Sequence, residues 1–121
     1  MEKQEKFDLL TKKIIEFRNE RDWKQFHNPK DLSLSLLLEA CELMEHFQWK
    51  NIEQAEAHIK THRTELGEEL ADILYWVILI SHDLKIDVLR CLDKKLIKNA
   101  AKYPVNKARG NAKKYTELEK L

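Results

Sequence analysis

Two glycines and two prolines are all that 121 residues provide for breaking a regular backbone. Turn-rich sandwiches and barrels, and sheets built from glycine-punctuated βαβ units, need more such residues than this. The chain therefore reads as all-α. Its length suits one domain, residues 1–121, with one core. Apolar residues make up 43%, enough to build that core, and 36% charged residues imply a heavily solvated exterior.

Apolar spacing predicts four long helices. The first runs from Glu2 to Asp22, with Phe7, Leu10, Ile14 and Phe17 at helical intervals. His27-Asn28-Pro29 breaks it, because the residue before a proline avoids the α region. Asp31 or Ser33 is expected to cap the second helix, which continues to Trp49. A polar connection, Lys50 to Arg63, holds a short helix over Ile52–Ile59. The third long helix covers Thr64–Leu84 with Thr61 or Thr64 as its cap, and the fourth covers Asp87–Lys102, ending at Tyr103-Pro104. Beyond it, residues 106–121 read as a polar, partly ordered tail.

Net charge is +1, which suggests neither a nucleic-acid partner nor an acidic tail. The distribution is less even. Residues 85–121 carry 11 basic and 4 acidic side chains, net +7, while residues 1–84 carry 11 and 17, net −6. Such segregation suits a site that holds a cation and a polyanion together, although a basic, solvated C-terminal face is the simpler account. Cys41 and Cys91 are too few for a disulfide framework and read as reduced core residues. The charged start MEKQEKFDLL is no secretory signal, and no run of about 18 apolar residues exists to span a membrane. A cytoplasmic protein without membrane or nucleic-acid partners is expected.

The sharpest feature is where the acids of the second and third helices point. At about 100° per residue, Leu36, Ala40, Leu43 and Phe47 share the expected core face of the second helix. Ser35, Glu39, Glu42 and His46 form a separate stripe with leucines on both sides. On the third helix Glu65, Glu69, Asp72, Trp76 and Asp83 align, and Leu66, Leu70, Ile73, Leu74, Val77 and Ile78 occupy most of the remaining circumference. Aspartate is a poor helix-interior residue, so Asp72 within ELADILYWVILI needs a reason. A buried unpaired carboxylate costs several kcal/mol. No lysine or arginine lies between Lys30 and Lys50, or between Arg63 and Lys85, to neutralise these acids from the same helix.

A divalent cation would neutralise them. Carboxylate oxygens suit Mg²⁺, Mn²⁺ or Ca²⁺ rather than zinc, and Mg²⁺ commonly completes its shell with water and substrate phosphate. For one ExxE pair, solvent-facing acids or acids paired with bases from another helix would be the simpler reading. Two pairs on two apolar helices make the metal reading its equal. His58 and His62, at i and i+4 in a polar connection, read as a solvated face. A di-iron bundle would want two Glu-x-x-His motifs, and neither acidic helix has one.

All three tryptophans, Trp23, Trp49 and Trp76, fall close to these acids in sequence. An indole beside a phosphate-binding metal can stack on a nucleobase, worth about 1–3 kcal/mol. Lys95, Lys98, Lys102 and Asn99 share one face of the fourth helix and could meet phosphate oxygens. No Walker loop and no Ser/His/Asp or Cys/His nucleophile is present, so metal-activated water is the remaining chemistry.

In these residues the chain resembles the MazG-like, all-α nucleoside triphosphate pyrophosphohydrolases, most closely their dCTP pyrophosphatase branch. The resemblance is carried by ERDWKQFHNPKDL (20–32), LLLEACELMEHFQWK (36–50), EELADILYW (68–76), KLIKNAAKYPV (95–105) and KYTEL (114–118), in the family's order. It implies a four-helix bundle-like unit, Mg²⁺ (Mn²⁺ as the alternative) held by Glu39, Glu42, Glu69 and Asp72, and hydrolysis of a nucleoside triphosphate between the α and β phosphates. Trp23, Lys24, Gln25, Phe26 and His27 would belong to the nucleotide-binding segment, and Trp49 would flank the base. Trp76 stands where relatives have tyrosine, and Lys95 and Asn99 match a KxxxN before the YP. Leu38 replaces an acid of the broader pattern, and Ile14 stands where dCTP enzymes can place a histidine. Glu42 is the expected general base, with Glu69 and Glu65 as alternatives. The family's dimers and tetramers imply a homo-oligomer, expected to be a tetramer. The competing reading is a non-catalytic helical interaction module whose acids merely solvate a bundle.

Overall fold

The computed structural model describes residues 2–120, so Met1 and Leu121, the last residue of the expected tail, lie outside it. The described chain is all-α. Its helices are α1 (Glu2–Glu20), α2 (Pro29–Glu45), α3 (Ile52–Thr61), α4 (Arg63–Asp83), α5 (Val88–Lys102), α6 (Val105–Ala108) and α7 (Tyr115–Leu118), with a 3₁₀ turn at Lys24–Phe26. None is long and apolar enough to cross a membrane. The chain divides into two compact units, Met1–Lys85 and Ile86–Leu121.

In the first unit α4 is the central element, and α1, α2 and α3 each pack on it. Leu66, Ile78 and Leu79 of α4 and Leu32 of α2 are buried. The expected core face of α2 is covered less completely: Leu36, Leu43 and Phe47 are half-buried and Ala40 is exposed. Leu34, Leu37, Leu38 and Met44 of α2 and Leu70 and Leu74 of α4 are exposed as well.

The helix starts correct two expectations. Asn28, not Asp31 or Ser33, caps α2: its side chain accepts the Asp31 N–H at 2.9 Å, and Pro29, which has no N–H to satisfy, takes the first helical position. α4 starts after His62 without a side-chain cap, because the Thr61 hydroxyl is turned back on the Ala57 and His58 carbonyls of α3. Asn51 and Gln54 close a reciprocal capping box on α3. The helix ends show how a chain with so few glycines stops its helices. Asp22 (φ 53°), Trp49 (φ 69°) and Lys85 (φ 57°) adopt the left-handed conformation after α1, α2 and α4, where glycine is usual.

The second unit holds α5, α6 and α7. Asp87 caps α5 by accepting the Arg90 N–H at 3.1 Å. Along the stretch expected to be a polar, partly ordered tail, α6 and α7 form single turns: Tyr115 receives the Lys102 ammonium over its ring at 4.8 Å and the Tyr103 ring edge-on, and Leu118 is buried. Cys41 and Cys91 are free. Cys41 is half-buried, but Cys91 is exposed rather than in a core.

Candidate active site

Helical periodicity sets Glu39 and Glu42 one turn apart on α2, and Glu69 and Asp72 one turn apart on α4. Because these two helices pack together, the four carboxylates converge, with one oxygen of each lying within 4.8 Å of the others. Glu39 and Glu69 are half-buried and Glu42 and Asp72 exposed. Among the described residues no lysine or arginine pairs with any of the four. Glu39 Oε2 and Glu69 Oε2 are buried without a hydrogen-bond partner.

The electrostatics follow from that crowding. Burial, then Glu42 and Asp72 beside it, pushes the Glu39 carboxyl above its ordinary range, and the nearby Trp76 indole pulls the other way. Burial and the same two neighbours raise Glu69, which His46 partly offsets. Four carboxylates with two orphaned oxygens and no lysine or arginine partner make a hard, all-oxygen donor set. Such a set fits a divalent cation of the Mg²⁺ or Mn²⁺ kind.

Glu39 and Asp72 also line a cleft of about 460 Å³, whose other walls come from α1, Trp23 and α4. Leu10, Ile14 and Phe17 contribute from α1, with Tyr75 and Trp76 opposite and Lys13 as its basic side chain. Phe17 meets Trp23 edge-on at 5.7 Å and Tyr75 at 6.2 Å. The site is therefore a carboxylate pole beside an aromatic trough.

An ion pair stands behind Trp23, which lines the trough. Arg18, 1% exposed, makes a bidentate pair with Asp83 at 2.7 and 2.9 Å. Its backbone carbonyl accepts the Trp23 N–H, and its Nη1 lies 3.5 Å from His27 Nδ1. His27 in turn meets the Trp76 ring edge-on at 5.7 Å. Burial, then Arg18, lowers the His27 pKa, which favours the neutral imidazole. Burial works to raise Asp83, but the Arg18 guanidinium outweighs it and holds that carboxyl below its ordinary range.

The structure thus brings together Glu39, Glu42, Glu69, Asp72 and Trp76, with Trp23 and His27 close by. Asp83, aligned with the acid stripe in sequence, instead pairs with Arg18. Lys24 is exposed beside a second cleft shared with His27. Gln25 donates to the Asp22 carbonyl and carboxylate at 3.0 Å, and Phe26 is exposed. Trp49 is 91% exposed at the turn after α2 and lines no part of the aromatic cleft. Lys95 is exposed and Asn99 half-buried, one turn apart on α5 in the second unit.

Three features went unread in sequence. Arg18 stands one turn after Ile14 on the apolar face of α1, and a lone base on such a face is the signal that an acid waits for it. Tyr75, raised in pKa chiefly by burial, looked like one more apolar position beside Trp76. The third correction is His58 and His62. They are half-buried and stacked with ring centroids 3.9 Å apart, and His58 Nε2 lies 2.8 Å from His46 Nδ1, so they do not form a solvated face.

Comparison with known proteins agrees with this geometry. The MazG-like family model matches residues 34–118. dCTP pyrophosphatase 1 of Bos taurus is 42% identical over 105 residues, covering 85% of this chain and 62% of that protein. The Homo sapiens protein of the same name is 38% identical over the same shares. The chain thus spans less than two thirds of the length of these curated relatives. A solved pyrophosphatase structure from Archaeoglobus fulgidus superposes with a TM-score of 0.77 at 32% identity, covering 80% of this chain and 91% of that one. With its family model running through both acidic helices and into α7, and the four carboxylates those helices carry drawn into one cluster, this chain belongs to the MazG-like family.

Proposed function

We propose that this protein is a nucleotide pyrophosphohydrolase that cleaves a deoxynucleoside triphosphate, dCTP or a related or modified dNTP, to the monophosphate and pyrophosphate. The observation that carries this is the juxtaposition of the Glu39/Glu42/Glu69/Asp72 cluster with an aromatic trough about the size of a base and sugar. The relatives whose names specify dCTP support the substrate.

Glu39, Glu42, Glu69 and Asp72 would hold Mg²⁺, or Mn²⁺ in its place. When bound, such an ion neutralises triphosphate charge and the charge that develops on the departing pyrophosphate. The remaining work falls to the chain. Trp23, Phe17 and Trp76 enclose the base and sugar beside the Glu39 carboxylate, which lines the same cleft. Glu42, the more exposed acid of its pair, takes the proton from the attacking water as the α–β anhydride breaks, and Glu69 is the alternative base. Neutral His27, fixed by Arg18, offers a donor rather than a charge to the nucleotide. Lys24, Gln25, Phe26 and Trp49 are the further substrate-binding candidates on the first unit, and Lys95 and Asn99 those on α5.

Self-association is part of the same proposal, with a tetramer or dimer covering the exposed leucines of α2 and α4. So is a cytoplasmic location, among nucleotide pools. Values of kcat/KM measured for the four dNTPs and four NTPs test the substrate. The expected ranking puts dCTP first and CTP well below it, because close packing under the aromatics leaves no room for a 2′-hydroxyl. Equal values for dCTP and CTP would remove the deoxy preference.

A further inference from the structure

Tyr75 stands three residues after Asp72 on α4, about 4.5 Å further along the helix axis, and lines the aromatic cleft. Its ring is set edge-on to Phe17 at 6.2 Å and to Trp76 at 5.1 Å, so two other walls of the cleft hold it. Among the described residues its hydroxyl has no hydrogen-bond partner, and the oxygen is not fully buried. The charges that bear on it belong to Arg18 and Arg21, at the C-terminal end of α1, and none to the four carboxylates. The hydroxyl thus lies toward the end of the cleft away from the acids. Burial outweighs the two arginines and pushes the phenol up, so it keeps its hydrogen and can both accept and donate.

The other polar side chains of the cleft are of two kinds. Lys13, Glu39 and Asp72 are charged, and the two acids are read as engaged by the cation. Trp23 and Trp76 bring indole N–H groups, which only donate. Tyr75 therefore carries the one uncharged side-chain oxygen that lines the cleft. Indole donors can satisfy a keto oxygen of a base, but an exocyclic amino group needs an acceptor. Enclosed among aromatic rings without one, that amino group would carry the full penalty of an unmade hydrogen bond.

We propose that Tyr75 is the base-reading residue of this trough, its hydroxyl oxygen accepting from the exocyclic amino group of a base of the cytosine kind. This rests on reading the cleft as the nucleotide site and goes beyond it by naming the atom that chooses the base. The rings of Phe17, Trp23 and Trp76 supply contact area, which any base would fill. A uracil base, with a keto oxygen where cytosine has its amino group, draws on the indole donors and does not need the hydroxyl as an acceptor there.

Calorimetric titration with the non-hydrolysable α,β-imido analogues of dCTP and dUTP, in the presence of Mg²⁺, tests this without any turnover. Tyr75→Phe keeps the ring and removes only the oxygen. Because that oxygen has no partner in the chain, the variant should unfold at the wild-type temperature or above. It should bind the dCTP analogue about 10-fold more weakly, the loss expected for one hydrogen bond, and the dUTP analogue within about twofold of wild type. A loss shared equally by the two, a larger loss for the dUTP analogue, or none for the dCTP analogue overturns the inference and leaves the nucleotide site standing. Wild type that binds neither analogue overturns both readings.

Discussion

Single residues carry two separable energies, one at the carboxylate cluster and one at the Arg18–Asp83 pair. In the cluster, burial and then the neighbouring like charges raise Glu39 and Glu69, so each is destabilising when ionised and unbound. Glu69→Gln should therefore leave the metal-free protein as stable as wild type or more so. It should abolish most of the thermal shift produced by Mg²⁺, about 2.7 kcal/mol at 100 times the dissociation constant, and lower kcat by about 100-fold or more. Thermal unfolding with and without Mg²⁺ checks the first two. The ion pair behaves in the opposite way. Arg18→Met leaves Asp83 partly buried and alone, and should cost about 3–5 kcal/mol in urea unfolding, whereas Arg18→Met/Asp83→Leu should recover most of it. The Asp83 pKa is lowered, so its contribution is complete above the ordinary carboxylate range and is lost as pH falls from there through the lowered folded value. Urea midpoints measured down that acid limb should fall more steeply for wild type than for the double variant.

Helices and their ends decide how much of this could be read without coordinates. The acid stripe was legible because Glu39, Glu42, Glu69 and Asp72 obey a 3.6-residue period inside otherwise apolar helices, and two adjacent helices with inward stripes have few ways to pack. The caps were not. Asp31 and Ser33 follow Pro29 and are good capping types, yet the proline sits at the first helical position and passes the role back to Asn28. Asn28→Ala should cost about 1 kcal/mol. Because Asn28 adjoins His27, it should also raise KM more than it lowers kcat, which steady-state kinetics would show. Trp49 is a second local case. A tryptophan at φ 69° is strained, so Trp49→Gly should gain up to about 1 kcal/mol. If the indole flanks the base, the same change raises KM. Stability up and affinity down together would identify Trp49 as a binding residue placed against its own backbone preference.

Over the whole molecule, the links that remained unread join residues far apart in sequence. Arg18 and Asp83 are 65 positions apart and His46 and His58 are 12, and no helical period connects either pair. Only the packing of α1, α2 and α3 on α4 brings them together. The same packing leaves leucines on α2 and α4 uncovered, more than a solitary chain of this size normally tolerates. Light scattering should therefore return a multiple of 14.5 kDa, with four copies the expected number. Leu38→Glu and Leu74→Glu should lower that mass. The central claim, that the carboxylate cluster and the aromatic trough together make a triphosphate pyrophosphohydrolase, is tested most directly by ³¹P NMR of the products. With dCTP and Mg²⁺ the spectrum should show dCMP and pyrophosphate, and neither should form with EDTA or with Asp72→Asn. Products of dCDP and inorganic phosphate, or turnover that survives both EDTA and Asp72→Asn, would contradict it.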